Sequence, residues 1–319
     1  MLNSQVILQR RGKKQAVDPA LPYDFFIEQE CSAAGVVEPV VTLFLTNQEC
    51  PFRCLYCDLW KYTLDQPLPP GLIPQQIKFA LEQLGPAQIE TATTIKLYNS
   101  GNFFDAQAIP VADHAEIAAL LSRFSTVIVE NHPKLCGTIC AEFNQRIAGR
   151  LEIALGLETV DTEILSRLNR QMSLEDFQST VSRLHAWDID TRAFVLLKPP
   201  FMCEADCVDW AVRSVEFAFD QGVACCSVIP TRGGNGIMED LSLRGDFSPP
   251  SFVSLETFQD KALATARGRV LVDLWEAERL LACDRCRELR LDRARMMNLQ
   301  QIVLPRIECD CQKQSHSQA

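Results

Sequence analysis

The 319-residue sequence predicts an α/β fold: a partial (β/α)6 TIM-like barrel carrying a small C-terminal cysteine-rich metal module. Three observations predict it. Six apolar, β-branched runs alternate with amphipathic stretches, which is the rhythm of a parallel sheet with right-handed helical crossovers. Unusual polar clusters follow directly on those runs: Cys50–Cys57, Asn99–Asn102, Glu130–His132, Glu158, Lys198 and Thr231–Asn235. Cysteines also gather near the C-terminal end, at Cys283, Cys286, Cys309 and Cys311. A doubly wound sheet is compatible with the rhythm alone. Chemistry in barrels sits at the C-terminal ends of the strands, so the polar clusters favour the barrel.

Residues 1–38 read as a leader without clear period. VVTLFLTNQ (40–48) is a buried strand, and the cysteine loop follows it. LDQPLPPG (64–71) breaks structure before the amphipathic helix 73–84, which has Pro74 near its start. Strands then fall at 94–101, 125–133, 150–159, 190–201 and 222–236. Helices fall at 111–124, from Asp161 onward, at 205–221 and at 254–266. The expected organisation is a leader (1–38), a core barrel (39–268) and a cysteine-rich extension (269–319).

Composition narrows the function class. With 47% hydrophobic and 23% charged residues, the chain can bury a sizeable core without a disulfide scaffold. Fourteen cysteines would suit a secreted disulfide protein. However, the N-terminus has no apolar segment followed by a cleavage site, and Cys225 and Cys226 sit in an apolar run as small core residues. A reducing cytoplasm is expected. No apolar run approaches the ~20 residues of a membrane span. The net charge of −10 opposes a broad basic face for nucleic acid. The basic stretch Arg10, Arg11, Lys13, Lys14 reads as a solvated terminus, with a tail that touches RNA as the alternative. Cys136/Cys140 and Cys203/Cys207 read mostly as core pairs at helical spacing.

NQECPFRCLYCDLW carries Cys50, Cys54 and Cys57 as CxxxCxxC. Three thiolates on one short loop can wrap a [4Fe–4S] cluster and leave one iron open. A zinc loop normally gathers four ligands, often as CxxC pairs, and matches poorly. The sequence also lacks an HxH or HExxH pair and has only four histidines, which opposes a zinc hydrolase. At the C-terminal end, CDRC (283–286) and CDC (309–311) offer four soft ligands, suited to a closed zinc site or an auxiliary iron–sulfur cluster.

The triad, placed directly after a first barrel strand, resembles the radical S-adenosylmethionine (SAM) superfamily. That resemblance implies a [4Fe–4S] cluster whose open iron chelates SAM, an electron donor of flavodoxin or ferredoxin type, and a 5′-deoxyadenosyl radical that takes hydrogen from substrate. It implies a place beside the adenine for Tyr56, and a place at the SAM amino group for Asn99, Ser100 and Gly101. Many members carry Gly-Gly-Glu there; here Ser100 departs from the pattern and no acid follows before Asp105. GLETVDTEILSRLNRQMS (156–173) resembles the elongator-type and coproporphyrinogen-oxidase-type branches. By that likeness Glu158 meets the ribose or methionine moiety, Arg170 meets the SAM carboxylate, and Ile229 and Thr231 line the adenine. LTNQECPFRCLYCDLW, IKLYNSGNFFD, LEIALGLET and IECDC resemble the radical SAM proteins of archaeosine biosynthesis and their bacterial relatives. The implied substrate is a modified tRNA base, met directly or through a partner protein. The alternative is a non-catalytic iron–sulfur, zinc or RNA-binding module on a radical SAM-like barrel, motivated by the altered Gly-Gly-Glu position.

Overall fold

The computed structural model describes residues 2–265 and 267–312. Eight strands form one sheet in sequential order: β1 (Asp24–Cys31), β2 (Val37–Phe44), β3 (Thr94–Tyr98), β4 (Thr126–Asn131), β5 (Arg150–Glu158), β6 (Asp190–Leu197), β7 (Cys225–Pro230) and β8 (Arg269–Val272). β1 pairs antiparallel with β2, and every later pairing is parallel. In a flat sheet of this order the edge strands would stand roughly 33 Å apart. Instead, Arg269 on β8 donates to the Cys31 carbonyl on β1 at 3.0 Å. The sheet is therefore curled into a partial barrel.

The helices, in chain order, are α1 (Ser4–Arg10), α2 (Leu72–Leu84), α3 (Pro86–Ile89), α4 (His114–Leu120), α5 (Thr138–Asn144), α6 (Thr162–Arg167), α7 (Leu174–Ala186), α8 (Glu204–Asp220), α9 (Ile237–Leu243), α10 (Phe252–Ala264) and α11 (Asp284–Gln300). Alternation on the strands sorts the two faces of the sheet. On β5, Leu151, Ile153, Leu155 and Leu157 enter the core, while Glu152 and Glu158 join polar groups on the other face.

The expected six-unit barrel is present and extended at both ends. β1 arises in the stretch read as leader, and β8 lies beyond residue 268. Both were hidden for physical reasons. β8 has only four residues, and Glu28 and Glu30 give β1 a polar face. Those acids line a buried floor. Glu30 meets Arg192 at 2.6 Å and Lys96 at 2.5 Å, Arg192 meets Glu152 at 2.6 Å, and Lys96 meets Glu28 at 2.8 Å. Burial pushes the Glu30 carboxyl up, yet Arg192 and Lys96 overrule it and hold it far below the usual carboxylate range. Arg192 is 1% exposed, and such a network is tolerated because each charge is paired.

Of the basic N-terminal stretch Lys13 is exposed as expected, but Arg10, Arg11 and Lys14 are paired with acids of the folded core. Arg11, its side chain 8% exposed, pairs with Glu49 at 2.5 Å and lies over the Trp60 ring at 4.7 Å. Lys14 reaches Glu49 at 2.9 Å and Asp65 at 2.7 Å, and Arg10 pairs with Asp240 at 2.9 Å. Ile7 buries against Leu55, Ile237, Met238 and Leu241. The segment straps the cysteine loop. The glycine-rich 229–236 stretch serves the same packing: Gly236, at φ 92°, lies so close to the Arg10 carbonyl that no side chain fits. The expected end of the 254–266 helix, at Ala266, and the polar tail from 313 lie outside the described residues. Among the described residues no helix is long and apolar enough to cross a membrane.

Candidate functional site

The site forms at the C-terminal ends of the strands. After β2 the chain turns into the loop bearing Cys50, Cys54 and Cys57, and backbone contacts fix it on several sides. The Leu55 amide donates to the Leu168 carbonyl at 2.9 Å. Asn235 Nδ2 donates to the Leu55 carbonyl at 2.8 Å and the Cys57 carbonyl at 3.1 Å. Asn169 Nδ2 donates to the Arg53 carbonyl at 2.6 Å. Cys54 is buried; Cys50 and Cys57 are half-buried.

Two N–H groups are directed at the sulfurs. Asn102 Nδ2 donates to Cys50 Sγ at 3.0 Å, and Arg170 Nη1 approaches Cys54 Sγ at 3.6 Å. Burial pushes the Cys50 thiol up to about 11, and burial with the neighbouring Cys54 raises the Cys57 thiol further. Unligated, these two are neutral thiols; a metal centre is what would hold them as thiolates.

Asn102 is itself aimed by β4, since its Oδ1 accepts from the His132 amide at 2.6 Å. The His132 ring stacks on Phe52 with centroids 3.7 Å apart. Its Nδ1 accepts from the Lys134 amide at 3.1 Å, so Nε2 carries the proton and donates to the Arg170 carbonyl at 3.0 Å. Burial and the nearby Arg170 lower the imidazole to about 3, keeping it neutral.

Tyr56, Glu158 and Arg170, singled out by the sequence, come together. Arg170 Nε lies 3.4 Å from Glu158 Oε1, and Arg170 Nη2 donates to the Gly156 carbonyl at 3.2 Å. Glu158 also hydrogen-bonds Tyr56; burial raises its carboxyl while Arg170 pulls against that rise. Local backbone makes this cluster possible. β5 bulges against β6 between Gly156 and Glu158, and Glu158 takes φ 68°. A Cβ at Gly156 would run into both the Glu158 carboxylate and the Arg170 guanidinium. Arg170 sits between Asn169 and Gln171, at φ 52° and 57°. It is 9% exposed, so it is a buried partner and not a surface ion pair.

Asn99 and Gly101 join the group through Glu130, which accepts from their amides, and Gly101 abuts Cys50. Ser100 shares a 2.8 Å hydrogen bond with the Tyr23 hydroxyl. Ile229 stands on β7 and Thr231 just after it; the Thr231 hydroxyl is committed to the Leu197 carbonyl at 3.0 Å. Asn102, His132, Glu130 and Asn235 lay within the polar clusters read from the sequence, without roles. Their position at strand ends was the available signal.

The second cysteine group is tighter. Among the described residues, Cys283, Cys286, Cys309 and Cys311 form the one group of three or more whose ligand atoms all lie within 4.8 Å of one another. Cys283 and Cys309 sulfurs are 3.9 Å apart, and Cys286 and Cys311 sulfurs 3.7 Å. One tetrahedral ion with Zn–S bonds of about 2.3 Å separates its sulfurs by about 3.8 Å. Cys283 and Cys286 open α11, where the Cys286 amide and the Cys311 thiol lower the Cys283 thiol to about 6. The other cysteines divide as core and surface: Cys136, Cys140 and Cys207 are buried, and Cys203 is exposed.

No family model matches the chain. An uncharacterized protein of Methanocaldococcus jannaschii is 21% identical over 95% of this chain and 88% of its own length. The archaeosine synthase subunit beta of Methanosarcina acetivorans is 23% identical over 68% of this chain and 64% of its own. Among solved structures, methylornithine synthase (PylB) aligns with a TM-score of 0.54 at 15% identity, covering 82% of this chain and 71% of that one. A radical SAM methyltransferase from Sphaerobacter thermophilus gives 0.53 at 15%, covering 82% and 76%. Elp3 of Methanocaldococcus infernus gives 0.53 at 16%, covering 73% and 62%. The curled eight-stranded sheet, with its cysteine loop after the first parallel strand, has the fold of the radical SAM enzymes.

Proposed function

We propose that the chain is a radical SAM enzyme whose Cys50, Cys54 and Cys57 hold a [4Fe–4S] cluster that SAM completes. One observation carries the reading. Three cysteines share a strand-end loop, their sulfurs do not all close to the 4.8 Å spacing of the second group, and N–H donors are directed at two of them. That donor set fits a cluster larger than a single ion. Reduced by one electron with SAM bound, such a cluster would supply reductive cleavage of the sulfonium to methionine and a 5′-deoxyadenosyl radical for hydrogen abstraction.

The chain's own residues hold and shield this centre. Asn102 and Arg170 stabilise thiolate charge on Cys50 and Cys54. Asn235 and the N-terminal strap keep the loop in place. Tyr56 lies beside the adenine, Ile229 and Thr231 line it, and Glu158 accepts from the ribose or methionine moiety. Arg170 orients Glu158 and adds the positive charge that draws the SAM carboxylate. Asn99, Ser100 and Gly101 take the amino group.

The finer reading is modification of a tRNA base, supported by the relatives named archaeosine synthase subunit beta. It calls for a flavodoxin- or ferredoxin-type donor in the cytoplasm, and for tRNA met directly or presented by a partner. The extension from residue 269 adds β8 and sets α11 against β1 and β8, and its four cysteines would hold zinc.

The test is anaerobic reconstitution with iron and sulfide. The reduced cluster's EPR spectrum is expected to change when SAM is added. A cluster that forms yet ignores SAM overturns the reading. For the substrate, tRNA nucleosides of wild-type and deletion cells are compared: one modified base is expected to be lost, and identical nucleosides contradict the tRNA assignment.

A further inference from the structure

The turn at the end of β3, Asn99–Asn102, holds no carboxylate of its own. A carboxylate is nevertheless present, supplied by the next strand. Glu130, at the end of β4, accepts from the Asn99 amide at 2.6 Å and the Gly101 amide at 3.2 Å, and hydrogen-bonds the Ser100 amide as well. Ser100 at φ 52° allows three successive N–H groups to converge on one anion, in the manner of a backbone nest.

This arrangement engages both nitrogens of Asn99. Its amide is held by Glu130, and its Nδ2 donates to Asn47 Oδ1 at 2.7 Å. What remains is Asn99 Oδ1, an acceptor on a side chain 0% exposed, with no hydrogen-bond partner. A buried acceptor without a donor is a standing penalty that a donating ligand relieves. The turn that carries it adjoins the triad: a Cβ on Gly101 would lie 3.5 Å from that of Cys50, and Asn102 donates to Cys50 Sγ. Burial raises the Glu130 carboxyl while the three amides pull against that rise. A cation nearby would add to the pull.

We propose that Glu130 is a positioning residue for the ammonium end of SAM, presenting the Asn99 side-chain oxygen as an acceptor from β4 where an acid within the turn would otherwise serve. The proposal rests on the SAM reading above. Glu130→Ala and Glu130→Gln are compared with wild type as reconstituted holoenzymes of equal iron and sulfide content. Dissociation constants are measured by calorimetry for SAM and for an analogue lacking the α-amino group. Glu130→Ala weakens SAM by about tenfold or more and leaves the analogue unchanged; Glu130→Gln, which keeps an acceptor oxygen, falls between. Equal loss for both ligands, or loss for neither, overturns the proposal. Should Glu130→Ala lose its cluster, Glu130→Gln carries the same comparison. Wild-type holoenzyme that binds no SAM removes the SAM reading itself, a result distinct from either pattern of variants.

Discussion

The two cysteine centres differ in ligand number, spacing and surroundings. Cys283, Cys286, Cys309 and Cys311 form a closed set of four within 4.8 Å. Cys50, Cys54 and Cys57 number three, do not all reach that spacing, and border polar groups that include Asn99, whose Oδ1 has no hydrogen-bond partner among the described residues. Four ligands at tetrahedral spacing satisfy an ion and leave no position for chemistry. Three ligands on a strand-end loop would leave a centre to be completed by something else. On the proposed function, the difference separates a staple from a reaction site within one chain.

The largest expected effect comes from breaking the open centre. Cys54→Ala should abolish both the brown cluster and SAM cleavage, read by absorbance and product chromatography; retention of either refutes the ligand assignment. Breaking the closed centre should act on stability instead. Cys286→Ser should release the C-terminal metal and lower the melting temperature by on the order of 5–10 °C, while the triad still assembles its cluster. Metal analysis of a Cys50/Cys54/Cys57 triple mutant sharpens the contrast, with stoichiometric zinc expected and residual iron with sulfide contradicting it.

The barrel floor provides a control region, because its charges are paired and serve no reacting group. Arg192→Met should cost about 3 kcal/mol in denaturant unfolding, since it removes the 2.6 Å partner of both Glu30 and Glu152 and leaves them only Lys96 and the more distant Arg269. A smaller effect is expected at Asn102. Asn102→Ala should leave the cluster in place and lower its midpoint potential by on the order of 50 mV, because one N–H···S bond is lost. An unchanged potential would show that the 3.0 Å contact does not tune the sulfur.

Much of this was legible in the sequence because strand periodicity and ligand spacing are local. CxxxCxxC after VVTLFLTNQ located the mouth, and Tyr56, Glu158 and Arg170 proved to meet. Non-local pairing was hidden. Glu28 and Glu30 gave β1 a polar face because their partners, Lys96 and Arg192, lie far along the chain. Arg11 and Lys14 read as a free basic tail because Glu49, which they clasp, lies on the cysteine loop. Glu130 supplies from β4 a carboxylate that the turn after β3 lacks, and no spacing rule joins the two.

The central claim is tested most directly by incubating the anaerobically reconstituted chain with SAM and dithionite and quantifying 5′-deoxyadenosine. The account predicts its formation by wild type and its absence in Cys54→Ala. A spectroscopically verified cluster in wild type that yields no 5′-deoxyadenosine would contradict it.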